Sequence, residues 1–181
     1  MMFARTPRLL LRPGFPEDAP ALAKTMVQDA IGRTLAPAQW PFGMRDADAM
    51  LARTSDPVLP SLLIFERTGG SPRLVGSCGL ARRSSGAVEM RYWIARAHWG
   101  RGLATEACGA LVEMARALRL PTLEGSHFID NPGSARVLEK LGFQPLGIVA
   151  PRAGCAHGTE APARLMRLRL SATVPNEALA A

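Results

Sequence analysis

The chain has 181 residues, is 48% hydrophobic and carries a net charge of +7. That is material for one globular domain with a sizeable core. No apolar run reaches the ~20 residues of a membrane-spanning helix, and the N-terminus lacks the apolar core of a signal peptide.

In chain order, residues 8–12 read as a strand. Residues 16–30 read as a helix opened by Pro-Glu-Asp, with Leu22, Met26 and Val27 on one face. A segment rich in Pro and Trp, 35–42, breaks the pattern before a second helix at 45–53. Strand-like runs follow at 61–67, 73–80 and 87–94, joined by Gly69-Gly70-Ser71-Pro72 and Arg83-Ser84-Ser85-Gly86, which favour antiparallel hairpins. Residues 103–118 form a strong helix pattern with Leu111, Met114, Ala115 and Leu118 facing inward. A strand at 123–129, a helix at 133–141 and strands at 143–149 and 163–170 complete the domain. The order predicts an α/β (α+β) fold over residues 1–170, with a mixed, mostly antiparallel sheet of about six to seven strands and helices on both faces. The small, polar stretch 171–181 is expected to be a flexible tail.

The three cysteines, Cys78, Cys108 and Cys155, are odd in number and lack Cys-x-x-Cys spacing. They read as buried reduced thiols of a cytoplasmic protein. His98, His127 and His157 are scattered, and no metal site is expected. The basic charge invites a nucleic-acid reading, but Arg and Lys are spread along the chain and aromatics make up only 6%, with no interleaved basic–aromatic run. Direct nucleic-acid binding is therefore not expected, while long-range attraction to a ribonucleoprotein stays open.

The most informative stretch is His98-Trp99-Gly100-Arg101-Gly102-Leu103-Ala104-Thr105-Glu106, lying between a strand and a helix. Glycines let the backbone approach a ligand, and the helix start adds free N–H groups and a partial positive charge, which together suit a phosphate. An ordinary strand–helix connection is the bland alternative. A P-loop is excluded, because no Gly-Lys-Ser or Gly-Lys-Thr occurs. A dinucleotide fingerprint fits poorly. Glu124 lies at about the distance of a ribose-binding acid, but Thr105 stands where a third small residue belongs, and the preceding strands are not separated by helices.

About thirty residues further on comes Asn131-Pro132-Gly133-Ser134-Ala135-Arg136-Val137-Leu138-Glu139-Lys140-Leu141-Gly142-Phe143. Asn-x-x-Ser, a short amphipathic helix and Leu-Gly-Phe, placed after a Trp-Gly-Arg-Gly-Leu-Ala-Thr-Glu-Ala turn, resemble the GNAT superfamily of N-acetyltransferases. The branch most resembled is the Rim type, which acetylates ribosomal proteins. Thr6-Pro7-Arg8-Leu9-Leu10-Leu11-Arg12-Pro13 and Glu17-Asp18-Ala19 are similar to the start of that branch, and the resemblance covers roughly residues 5–170.

The resemblance implies a sheet splayed between its fourth strand, here 88–95, and its fifth, here 123–129, with acetyl-CoA in the opening. It assigns the cofactor contacts to Ile94, Trp99, Gly100, Arg101, Gly102, Leu103, Ala104, Thr105, Asn131, Ser134 and Arg136, with Arg96 and Lys140 also near the phosphates. Two departures stand out. Trp99 occupies the first position of the usual Gln/Arg-x-x-Gly-x-Gly/Ala turn, as it does in Rim-type members. Arg91 stands where relatives often have glycine. A long cation there either reshapes acceptor choice or snorkels at the sheet surface.

The implied reaction moves an acetyl group to a primary amine, on a protein N-terminus or a small molecule, by direct attack on the thioester. An α-amine with a pKa of about 7.7–8.0 loses its proton readily, a lysine at about 10.4 less so. Backbone N–H near Ile94 is a candidate for the oxyanion. Glu89 and Glu160 are the candidate bases, acting directly or through water, and a solvated-face position is the alternative for Glu89. Ser134 is the candidate acid for the leaving thiolate, with helix capping as its alternative role. The only tyrosine, Tyr92, is not on that helix. Glu106 reads as a first-turn acid that stabilises the helix start. A non-catalytic acyl-CoA-binding module is the second reading, a basic nucleic-acid-binding domain the third, and the protein is expected to be a monomer or homodimer.

Overall fold

In the computed structural model, residues 2–28, 42–52, 58–153 and 160–170 are described. The chain runs through β1 (Ala4–Arg5), β2 (Leu9–Arg12), a 3-10 turn (Pro16–Asp18), α1 (Ala19–Gln28), α2 (Met44–Ala52), β3 (Ser61–Glu66), β4 (Arg73–Arg82) and β5 (Val88–Ile94). A second 3-10 turn (Arg96–His98) leads to α3 (Leu103–Ala117), β6 (Thr122–Phe128), α4 (Pro132–Lys140), β7 (Gln144–Ala153) and β8 (Glu160–Arg169). Residues 29–30, most of the 35–42 segment, Arg53, Cys155, His157 and the 171–181 tail lie outside the described residues. No described helix is long and apolar enough to cross a membrane.

The eight strands form one sheet in the order β1-β2-β3-β4-β5-β6-β8-β7. Every neighbouring pair is antiparallel except β5 and β6. The count exceeds the six or seven strands expected because β1 doubles back on β2, pairing Ala4 with Leu11 and Arg5 with Leu10. Two residues are too few to show a period of two, so only the tertiary pairing reveals that strand. The last hairpin is also longer than its apolar pattern suggested. The strand expected at 143–149 runs on through Pro151 to Ala153, because β7 is an edge strand, where a missing N–H need not break a ladder.

Strand alternation sorts the core into two layers. On one face Val88, Met90 and Ile94 of β5 meet Leu103, Ala107 and Leu111 of α3 and Leu138 of α4. Phe143, 1% exposed, closes this layer behind Leu138. On the other face Leu63 and Phe65 of β3 meet Ala19, Leu22, Ala23 and Met26 of α1 and Ala47 of α2, with Trp93 packed against them. Val27, read as an inward position, is 50% exposed; the small Ala19 and Ala23 complete the buried face instead. Each fully buried Leu or Phe in these layers stabilises the fold by roughly 1.5–3 kcal/mol. Cys78 and Cys108 are free and buried in the first layer, and burial pushes the Cys78 thiol up to about 12.

The start of α1 is tied to the sheet by charge. Arg12 donates to both oxygens of Asp18 at 2.7 Å, and Asp18 also accepts from the Phe15 N–H at 2.8 Å. The Arg12 guanidinium lies 4.2 Å from the Phe65 ring centroid. The hydrogen bonds from Arg12, opposed by burial, hold the Asp18 carboxyl below its usual range.

Candidate active site

β5 is laddered to β4 over seven registered pairs, from Gly76↔Ile94 to Arg82↔Val88, but to β6 at a single pair, Glu89↔Glu124. Beyond that pair the sheet opens towards the C-terminal ends of both strands. The Ala95 N–H donates to the Val75 carbonyl at 2.8 Å. Antiparallel alternation then turns the backbone groups of Tyr92 and Ile94 away from β4 and towards the opening. The Trp99 indole N–H donates to the Ile94 carbonyl at 2.6 Å, folding a 61% exposed ring over that end of the strand. The Arg96 guanidinium lies 5.9 Å from the same ring.

At the open end stands the glycine turn. Gly100 and Gly102 adopt φ of 73° and 75°, left-handed conformations that disfavour other residues. Gly102 occupies the N-cap of α3 and has no side chain with which to cap it. The N–H groups of Leu103, Ala104 and Thr105 belong to the first turn and have no carbonyl one turn back, whereas the Glu106 N–H already donates to Gly102 O at 3.1 Å. Three amides and a helix dipole therefore face outward at one spot, an arrangement suited to an anion.

The back of the turn is clamped by the N-terminal hairpin. Arg8 Nη1 donates to the Arg101 carbonyl at 2.8 Å and Arg8 Nε to Glu106 Oε2 at 2.6 Å. Glu106 Oε1 accepts from the Arg8 N–H at 2.9 Å and from the Thr6 hydroxyl at 2.6 Å. Burial alone would raise the Glu106 carboxyl, but these bonds from Thr6 and Arg8 hold it below its ordinary value. Glu106 is thus a first-turn acid with a further task, tying β1–β2 to α3. The Arg101 guanidinium turns to Glu66 at the end of β3 and to His98 Nδ1 at 2.9 Å. That pairing, ahead of the opposing effect of burial, depresses the Glu66 carboxyl. At Arg101, then, the side chain serves the scaffold and the backbone lies in the turn.

The Asn-x-x-Ser segment forms the start of α4. Asn131 Oδ1 accepts from the Ser134 N–H at 3.0 Å, so Asn131 is the cap, a role considered for Ser134 from the sequence. The Ser134 hydroxyl is left to turn elsewhere. It lies 2.7 Å from the Tyr92 hydroxyl, which is also 3.2 Å from the Ser134 carbonyl. Burial raises the Tyr92 phenol well above its ordinary value, with the Ser134 hydrogen bond opposing, so the phenol keeps its proton at neutral pH. Sequence reasoning passed over Tyr92 because it sits on a strand; the signal available was its even spacing with Met90 and Ile94. Arg136 and Lys140 are exposed on α4.

Glu89 is on the opposite face of β5 from Tyr92 and is only 6% exposed, not solvated. Its Oε1 accepts from Arg83 at 3.0 Å and its Oε2 from Arg91 at 2.8 Å. Glu160 is exposed at the first residue of β8, beyond the C-terminal end of β6. A cavity of about 390 Å³, lined by His127, Glu139, Arg164 and Met166 among others, shares no residue with the glycine turn.

Residues 8–144, more than half of the chain, match the family model described as the acetyltransferase (GNAT) domain. The chain is 38% identical over 85 residues to the probable N-acetyltransferase YjcK of Bacillus subtilis, a match covering 45% of this chain and 47% of that protein, about half of the relative's length. Its fold is similar to RimL, a ribosomal L7/L12 α-N-protein acetyltransferase solved with coenzyme A, with a TM-score of 0.76 at 16% identity over 94% of this chain and 99% of the other. It is also similar to YncA from Salmonella typhimurium, solved with acetyl-CoA, with a TM-score of 0.68 at 21% identity over 94% and 99%. Sheet order, splayed strands, glycine turn and family match agree, and the chain belongs to the GNAT acetyltransferase family.

Proposed function

We propose that this chain transfers the acetyl group of acetyl-CoA to a primary amine, with the thioester lying in the opening between β5 and β6. The observation that carries this reading is the uncapped start of α3, set behind two left-handed glycines at the open end of the splayed pair. The outward amides of Leu103, Ala104 and Thr105 suit a pyrophosphate, with Trp99 and Gly100 shaping the approach and the exposed Arg136 of α4 a candidate for a further phosphate contact. The backbone groups of Tyr92 and the Ile94 N–H, turned away from β4, suit the amides of a pantetheine arm, which satisfy a strand edge as an added strand would, while the Ile94 carbonyl is held by Trp99. The nucleotide-bearing ligands of RimL and YncA support the choice of acetyl-CoA.

In this reading the amine lone pair attacks the thioester carbon, and the Ile94 N–H stabilises the oxyanion. Collapse of the intermediate expels the thiolate, which takes a proton from the Tyr92–Ser134 hydroxyl pair on the α3–α4 side. The amine enters from the opposite face, where Glu89 and Arg91 lie. Both Glu89 oxygens are already engaged by guanidinium groups, Oε1 by Arg83 and Oε2 by Arg91. Glu160 or water is the better candidate for the base. The acceptor is a protein N-terminus or a small amine. Calorimetry with acetyl-CoA, followed by CoA release with a panel of primary amines, tests the proposal. Absence of binding defeats it, and binding without turnover on any amine leaves an acyl-CoA-binding module.

A further inference from the structure

Beyond Glu89↔Glu124 the strands separate, and the first β5 side chain on the face opposite the Tyr92–Ser134 contact is Arg91. Its partner on β4 is Gly79, which places no side chain beside it. Among the described residues, charge at this spot is unbalanced. Arg83 and Arg91 share the single carboxylate of Glu89, whereas Glu124, the neighbour of Glu89 across the sheet, pairs with Arg167 at 2.9 Å. The Arg83 side chain is 26% exposed and that of Arg91 66%, so the surplus positive charge is presented at Arg91. Nε and Nη2 of Arg91 both reach Glu89 Oε2. A planar guanidinium held by that edge directs its Nη1 edge elsewhere, and the buried Glu89 fixes the orientation. Two residues along the same face, the Trp93 indole N–H is buried with no acceptor among the described residues.

We infer that the acceptor amine carries an anionic group, a carboxylate or phosphate a few bonds from its nitrogen, and that Arg91 binds it. The inference rests on the acetyl-transfer reading and names the substrate class for that site. Glu89 and Arg83 are positioning residues: they hold the Arg91 fork at the mouth of the opening, on the side from which the amine approaches. A fork of this geometry pairs with two oxygens at once and reads the anion as well as attracting it. A neutral or cationic amine lacks the partner and meets the surplus positive charge instead.

The test uses matched acceptors with the full-length protein: peptides beginning Ser-Asp-Glu against Ser-Asn-Gln, β-alanine against β-alaninamide, and phosphoethanolamine against ethanolamine. The parent should favour the acidic member of at least one pair by roughly 10- to 100-fold in kcat/KM, the range that one charge-assisted hydrogen bond supplies. Arg91→Gln should collapse that preference through the acceptor KM, with acetyl-CoA affinity by calorimetry unchanged, and Arg91→Lys should restore part of it. Phosphate-only and carboxylate-only preferences separate the two anion classes. No preference in any pair, preference for the neutral member, turnover of none of the six, or a preference that survives in Arg91→Gln overturns the inference. Failure of the parent to bind acetyl-CoA would instead overturn the acetyl-transfer reading beneath it.

Discussion

The hydroxyls of Tyr92 and Ser134 lie 2.7 Å apart, joining β5 to the start of α4, although 42 positions separate the two residues in the chain. The contact crosses the side of the opening where the departing sulfur would lie. Tyr92→Phe and Ser134→Ala should each lower kcat more than they raise the acetyl-CoA KM, by roughly 10²–10⁴ if the pair supplies the proton. Because the two act as a unit, the double variant should lose little more than the worse single one. Additive losses measured in steady-state kinetics would mean that the hydroxyls serve separate purposes.

Substitution at Gly102 has two separable effects. Gly102→Ala strains a φ of 75°, at a cost of roughly 1–2 kcal/mol. Gly102→Glu adds the same strain and a negative charge at the helix start. Acetyl-CoA binding by calorimetry should fall in both and much further in the glutamate variant. Equal binding in the two would show that no phosphate sits against this turn.

Removing the clamp behind the turn should loosen it without touching the reacting groups. Arg8→Ala deletes the bonds to Arg101 O and Glu106 Oε2, so the acetyl-CoA KM should rise several-fold with kcat little changed. A fall in kcat at saturating acetyl-CoA would instead place Arg8 in the chemistry.

Acid should destabilise the protein through three carboxyls. Asp18, Glu66 and Glu106 are all held below their ordinary values in the folded state. Their contribution is present above the unfolded values of about 3.8–4.5 and is lost as pH falls through the lower folded values. Thermal unfolding should therefore show a Tm that is flat near neutrality and drops below about pH 4. Asp18→Asn should lower the Tm at pH 7 and shrink the acid dependence; an unchanged dependence would remove Asp18 from this account.

The identity of the base is tested by pH. If Glu160 takes the amine proton, Glu160→Gln should lose roughly 10²–10⁴ in kcat/KM, with the loss shrinking at high pH where the amine arrives neutral. Glu89→Gln should act mainly on the acceptor KM, because it releases Arg91. A small, pH-independent loss in Glu160→Gln would leave the proton to water.

Local chemistry was readable from the residues alone. Left-handed glycines before an amphipathic helix, Asn-Pro at a helix start and alternating apolar runs each depend on neighbours within a few positions, so the glycine turn, α3, α4 and the antiparallel meander were legible in the sequence. Contacts across long separations were decided only by the tertiary structure. β1 is two residues long and exists through its pairing with β2; β8 takes its place between β6 and β7 by registers that no local period encodes. Asn131 rather than Ser134 caps α4, Tyr92 reaches Ser134, Arg8 and Thr6 converge on Glu106, and two arginines claim Glu89. Sequence periodicity states which face a side chain occupies; the partner it meets there depends on where the splay, the helix starts and the distant strands place their own polar groups.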